Sequence, residues 1–168
     1  QHRQGRRIRD ADGQVNAAAP PLAFMAQVRC EVGPLLSLGQ TPAGERRVVP
    51  LTGGEVDGPE LRGRIEPGGS DWQWLRADGV LEIAAPYLVV TPDGARIEVR
   101  SEGLRHGPAD VMAALARGET VAPNRYFFRT RMRFQTGHAD WLQLNRVMAI
   151  AAGQRLASRV ILDVWRLA

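Results

Sequence analysis

At 168 residues the chain has the length of one domain, able to bury about 70% of the surface its unfolded form exposes, so no disulfide or metal staple is required. Its 22 basic residues, all arginine, against 18 acids give a net charge of +4, but QHRQGRRIRD at the start carries four arginines against one aspartate. The remainder is close to neutral, with no basic stripe interleaved with aromatics and no apolar run of about eighteen residues, which argues against a nucleic-acid partner and a membrane span.

Residues 1–20 are polar and Arg-rich, then Ala/Pro-rich, and read as a flexible tail before a single domain over residues 21–168. The chain begins with Gln1 rather than Met, which reads as a trimmed start. The compartment expected is the cytoplasm, with an exported mature form as the alternative. After the tail the dominant period is two. Phe24, Ala26, Val28, Cys30 and Val32 alternate with Met25, Gln27, Arg29 and Glu31, so the lone Cys30 is expected to be a buried reduced thiol. Leu81, Ile83, Ala85, Tyr87 and Val89 form a second one-sided run. The turn Pro92-Asp93-Gly94 follows, and Ala95, Ile97 and Val99 return from it, which is a hairpin signal.

Pro108-Ala109-Asp110 opens the one clear helix, expected near residues 108–118, with Val111, Met112 and Leu115 at helical spacing and Gly118 as its stop. Beyond it, Tyr126, Phe128, Thr130, Met132 and Phe134 alternate with Phe127, Arg129, Arg131 and Arg133. Strands through Val147, Ala149 and Ala151, and through Val160, Leu162 and Val164, close the chain. This pattern predicts an all-β protein, a closed antiparallel β-barrel of about eight or more strands, with glycine-rich corners for sharply coiled strands. A barrel of that size holds side chains or one small ligand.

Several segments in order resemble one family: VVPLTGGEVDGPELRGRIEPGGSDWQWLRADG, YLVVTPDGARIEV, the short helix, YFFRTRMRFQTG and the asparagine of LNR. The chain is identified on these as similar to the domain-of-unknown-function 3237 family of small bacterial and fungal β-barrel proteins, from about Pro21 to Leu167. The resemblance implies a barrel and no particular reaction. It also marks departures: Ala84-Ala85-Pro86-Tyr87 stands where the family has Asp-Ala-Arg-Tyr, Gln135 where it has Glu, and Gln143 where it has Trp.

Within GGSDWQWLRADG, Asp71 and Trp72 are the leading site candidates. Asp71 is expected to act as a general base beside an aromatic face, or else to accept backbone N–H bonds at a glycine corner while a tryptophan plugs the barrel. Alternation sends Trp72 and Trp74 to the face opposite Asp71, so only one of the two sets can enter the lumen unless a bulge intervenes. Arg129, Arg131 and Arg133 share one face. They form an exposed ladder, or Arg129 clamps a ligand carboxylate at the barrel mouth with Gln135 beside it and Phe128 and Phe134 outside. Tyr87 and Asn145 either hydrogen-bond a ligand or satisfy nearby backbone. His106 and His138 lack a third partner at metal-ligand spacing, and no phosphate, dinucleotide or nucleophile motif is present.

The expectation is therefore a small-molecule-binding barrel without cofactor or metal. If it is an enzyme, it is a lyase, hydratase, isomerase or cyclase working by acid–base chemistry on an aromatic or carbonyl-bearing metabolite. Asp71 would be catalytic, with Trp72, Tyr87, Arg129, Gln135 and Asn145 holding a small organic, anionic aromatic ligand. The alternative is a non-catalytic ligand-binding or structural dimeric barrel. Exposed β-edges lead us to expect a homodimer or higher homo-oligomer.

Overall fold

The structure, a computed structural model, describes residues 17–168. Most of the expected tail, residues 1–16, lies outside the described residues. The strands are β1 (Leu22–Val32), β2 (Leu36–Thr41), β3 (Gly44–Asp57), β4 (Gly63–Ile65), β5 (Ser70–Leu75), β6 (Leu81–Val90), β7 (Arg96–His106), β8 (Phe127–Gln135), β9 (Met148–Arg155) and β10 (Arg159–Leu167). One helix, α1 (Ala109–Ala116), follows β7, and two 3₁₀ segments cover Pro123–Arg125 and Ala139–Arg146. Among the described residues no helix is long and apolar enough to cross a membrane.

The strands close an eight-stranded antiparallel barrel. Going round it, β1 pairs β10, then β9, β8, β7 and β6 follow in turn. The next position is shared: β6 and β3 are joined by β4 at one end and by β5 at the other. The second half of β3 then pairs β1 and closes the ring, while its first half carries the edge strand β2. β3 can serve four neighbours because it is long and sharply coiled at Gly53-Gly54. There a Cβ on Gly54 would fall 2.1 Å from the Arg29 carbonyl oxygen, so only glycine lets β1 approach.

Strand alternation fills the lumen as the sequence indicates for β6, β7, β8 and β10, with Tyr87, Val99, Phe134 and Val164 all buried. Phe128 and Phe134 therefore lie inside, and the arginines between them form an exposed row outside, so Arg129 does not reach the lumen. Arg131 pairs with Glu102 of β7 at 2.9 Å. β1 departs from simple alternation at its start. A bulge between Phe24 and Ala26 turns Met25 inward (1% exposed) and Phe24 outward (44%), where it meets Trp165 edge-on.

The interior has two unlike halves. At one end Met25, Val56, Val89, Val99, Met132 and Phe134 pack around a gap of only about 10 Å³. At the other end lie the starts of β6 and β8 and the ends of β1, β7 and β9, and polar side chains join an otherwise apolar lining. The helix sits at this second end: its N-terminus continues from β7, and Gly118 beyond its last turn lies against Ala157 of the β9–β10 turn.

Candidate functional site

The polar half of the lumen encloses a cavity of about 50 Å³, room for a few water molecules. Strand phase explains what faces it. In β5 the inward positions are Asp71 and Gln73, and in β6 they are Ile83, Ala85 and Tyr87. β7 continues its inward phase from Val99 through Ser101 and Gly103 to Arg105, β8 contributes Phe128 and Thr130, and β9 ends with Arg155.

A chain of hydrogen bonds holds the carboxylate. Gln73 Nε2 donates to Asp71 Oδ2 at 2.7 Å, and Arg47 Nη2 donates to Gln73 Oε1 at 3.0 Å. Asp71 is only half-buried counted as a whole residue, yet its Oδ1 is sealed from solvent without a partner. Four other sealed atoms around the same cavity also lack partners: Tyr87 Oη, Arg105 Nε, Thr130 Oγ1 and Arg155 Nη1. Buried polar groups are nearly always satisfied, so five unpartnered atoms converging on one cavity set it apart from the rest of the interior.

The electrostatics follow from burial. Desolvation raises the Asp71 carboxyl above its ordinary value, against the Gln73 hydrogen bond, the Arg105 charge, the Ala84 backbone N–H and the Arg155 charge, which lower it. Desolvation first, then repulsion from Arg155, lowers the Arg105 guanidinium to about 10. Arg155 and Arg47 are lowered too, chiefly by burial. Cys30 is pushed up to about 12, and the Tyr87 phenol is raised well above its usual value, so both stay neutral.

Of the residues singled out in the sequence, Asp71 and Tyr87 come together here. Trp72 does not. Alternation turns it outward, 39% exposed, and no bulge in β5 reverses this. Trp74 points outward as well, and neither ring plugs the barrel: the Arg46 guanidinium lies over both, 5.0 Å and 4.4 Å from the ring centroids. Arg129 shares an open outer groove with Trp72, donating to the Phe128 carbonyl at 2.9 Å with its guanidinium over the Phe127 ring. Gln135 is on the outer surface beside Arg133. Asn145 braces the β8–β9 connection: its Oδ1 accepts from Thr136 N–H at 3.0 Å, and its Nδ2 donates to the Thr136 and Leu142 carbonyls. That connection is at the apolar end, away from Asp71.

Arg105, Arg155, Gln73 and Thr130 escaped the sequence reading as site residues. The signal was present for three of them, because they continue inward phases already traced through Val99, Asp71 and Phe128. A charged residue in the inward phase is the exception that marks a site. The departures from the family pattern at Ala84, Pro86, Gln135 and Gln143 are all exposed, so they leave the cavity lining untouched.

A second cluster forms where His138 meets Asp93 and Asp140, with ligand-type atoms within 4.8 Å of one another. Asp93 comes from the β6–β7 turn, which linear spacing did not reveal. Its groups are engaged locally: His138 Nδ1 accepts from Asp140 N–H, and Asp93 accepts from Trp141 Nε1 and from the Thr91 hydroxyl.

Fold and cavity together define a closed antiparallel barrel with a polar, arginine-flanked carboxylate at one end of its lumen. The chain belongs to the family described as "Protein of unknown function (DUF3237)", which matches residues 20–167. It is 37% identical over 141 residues to a UPF0311 protein of Rhodopseudomonas palustris, covering 84% of this chain and 92% of that one. A crystal structure of a β-barrel-like protein from Acinetobacter baumannii is 36% identical and superposes with a TM-score of 0.80, covering 92% of this chain and all of that one. A more distant relative, the hydroalkoxylation enzyme phnH of Penicillium herquei, is 35% identical over 80 residues, 48% of this chain and 53% of its own length.

Proposed function

We propose that the protein is a cofactor-free acid–base enzyme that adds an O–H group across, or eliminates it from, a carbon–carbon double bond of a small organic molecule held in the barrel lumen. The observation that carries this reading is the convergence of five unpartnered, buried polar atoms on one cavity around Asp71. A carboxyl raised by burial keeps its proton to higher pH than an ordinary carboxylate does, which moves it toward the range a general acid requires. In the addition direction Asp71 Oδ1 delivers its proton to one alkene carbon. The substrate's hydroxyl oxygen bonds to the other carbon, and its proton returns to the carboxylate. Atoms balance without a redox partner. The name of the Penicillium relative supports the same reaction type.

The cavity of about 50 Å³ is smaller than a metabolite, so binding requires side chains to move. Arg155 is the natural one: half-buried, at the end of β9, and long enough to swing without moving the backbone. The test is turnover of a panel of hydroxyl-bearing alkenes, aromatic and aliphatic, followed by chromatography for the cyclised or hydrated product. Conversion that disappears in Asp71→Asn while binding persists supports the enzyme. Binding without conversion of any member leaves the ligand-binding barrel as the better description.

A further inference from the structure

We propose that the lumen recognises its ligand through an oxyanion, a carboxylate or an acidic phenolate, held between Arg105 and Arg155. The inference rests on reading the lumen as a ligand site, but it stands on a different observation from the one that makes Asp71 an acid.

Two guanidinium groups line the cavity and only one acid does. Arg47, tied to Gln73 just behind Asp71, adds a third positive charge to the neighbourhood. No arginine N–H bonds Asp71 directly: Oδ2 takes the Gln73 amide and Oδ1 meets no side-chain donor, although the carboxylate attracts both Arg105 and Arg155 through space. Among the described residues every ion-paired arginine is partly exposed, whereas Arg105 and Arg155 make no ion pair and each leaves a sealed N–H without an acceptor. Arg105 is 8% exposed. Desolvation is the chief burden on both guanidiniums; Arg155 repels Arg105 and Arg47 repels Arg155, against the attraction of Asp71, so the lining carries more positive than negative charge in a low-dielectric space. When Asp71 carries its proton the imbalance is greater still.

An anion removes all of these costs together. The guanidinium edge offers N–H donors in a planar fork that suits carboxylates and phenolates. The fork of Arg105 is aimed by its stacking against Phe128, with the guanidinium carbon 5.4 Å from the ring centroid. The rest of the lining specifies an organic anion and not a bare inorganic one: Ile83, Phe128, Val160 and Leu162 offer apolar walls to a carbon skeleton, and Tyr87 and Thr130 offer hydroxyls deeper inside. A substrate anchored at the arginines would extend its reacting carbons toward Asp71 Oδ1.

The test is calorimetric titration of the full chain with cinnamate, with 4-nitrophenolate, with the neutral cinnamamide, and with inorganic phosphate. The same titrations follow on Arg105→Gln, Arg155→Gln and Asp71→Asn. At least one organic anion is expected to bind one per chain, with cinnamamide weaker by about tenfold or more, and each arginine substitution should cost the anion a similar factor while leaving the amide unchanged. Which of the two anions binds more tightly tells carboxylate from phenolate. Asp71→Asn should keep the anion affinity, because removing a like-sited negative group does not weaken the clamp. Equal affinity for cinnamate and its amide overturns the proposal, as does wild-type anion affinity in both arginine variants, phosphate binding more tightly than either organic anion, or no organic anion bound at millimolar concentration by the folded protein. Should Arg105→Gln fail to fold, Arg155→Gln carries the test, since its side chain is half-exposed. Arginine-dependent anion binding without turnover would sink the proposed reaction and keep this site. Turnover of neutral alkenols indifferent to both arginines would do the reverse.

Discussion

Gln73 Nε2 donates to Asp71 Oδ2 at 2.7 Å, two residues apart on the same inward face of β5, so the glutamine fixes which carboxylate oxygen is spent and which is free. The same amide accepts from Arg47 through both Nε and Nη2. Gln73 is 3% exposed, and its replacement by leucine strands a carboxylate and a guanidinium at once. Gln73→Leu should lower unfolding stability by about 1–3 kcal/mol in urea titrations and raise the acid limb of any pH–rate profile, because the hydrogen bond that favours ionised Asp71 is gone. An unchanged pH profile in Gln73→Leu would separate Asp71 from the chemistry.

The raised Asp71 carboxyl also links stability to pH. Its folded pKa lies above its unfolded one, so its contribution to stability is fully present below the ordinary carboxylate range and is lost as pH rises through the raised value. The groups facing it are Arg47 from β3, Arg105 from β7 and Arg155 from β9, all cationic throughout this window, with Tyr87 and Cys30 neutral. Asp71→Asn, which is always neutral, should match the wild type in acid and exceed it once the pH has risen past the raised carboxyl range. Comparing the two urea midpoints across pH reads this directly. A variant less stable at neutral pH would mean that the carboxylate is there to be ionised and paired.

How much of this could be read from the chain depends on the kind of information each residue carries. The barrel was legible because period-two alternation is imposed by the pleat and survives in every long strand, from Leu81 to Val89 and from Phe128 to Phe134. The opposition of Asp71 and Trp72 was legible for the same reason, and it correctly counted against their working as a pair. Phe24 misled because a bulge adds one residue and inverts the phase, and no local composition marks it. The outward position of Arg129 was not legible from its chemistry, because suitability for an anion says nothing about which face the strand presents. The grouping of Arg105, Arg155 and Asp71 needed the closed ring itself: β5, β7 and β9 are not all neighbours, and only the shared lumen brings them together.

Tyr87→Phe separates function from folding in the opposite direction to a structural residue. The phenol is buried, 6% exposed, and its hydroxyl satisfies nothing. Removing an unpartnered buried hydroxyl should leave thermal stability unchanged or raise it by up to about 1 kcal/mol, while ligand affinity falls by roughly tenfold. Calorimetry alongside thermal unfolding checks both. A loss of stability would show that the hydroxyl has a partner in the folded protein, such as an ordered water, and does not wait for a ligand.

Gly153 tests whether the width of the lumen at the arginines is set by the barrel itself. A Cβ there would stand 2.7 Å from the ring atoms of Phe128, so the phenyl ring occupies the place of the missing side chain on the neighbouring strand. Phe128 in turn lies against the Arg105 guanidinium, and both line the cavity. Gly153→Ala should therefore push the ring toward Arg105, cost about 1–3 kcal/mol by overpacking, and weaken organic-anion binding although the substituted residue touches no ligand. A second substitution, Phe128→Leu, removes the ring that the alanine displaces. In that background Gly153→Ala should lose most of its penalty, a coupling that a double-mutant cycle of urea unfolding measures. Additive costs would mean that the barrel yields elsewhere and that the position of Arg105 does not depend on the glycine.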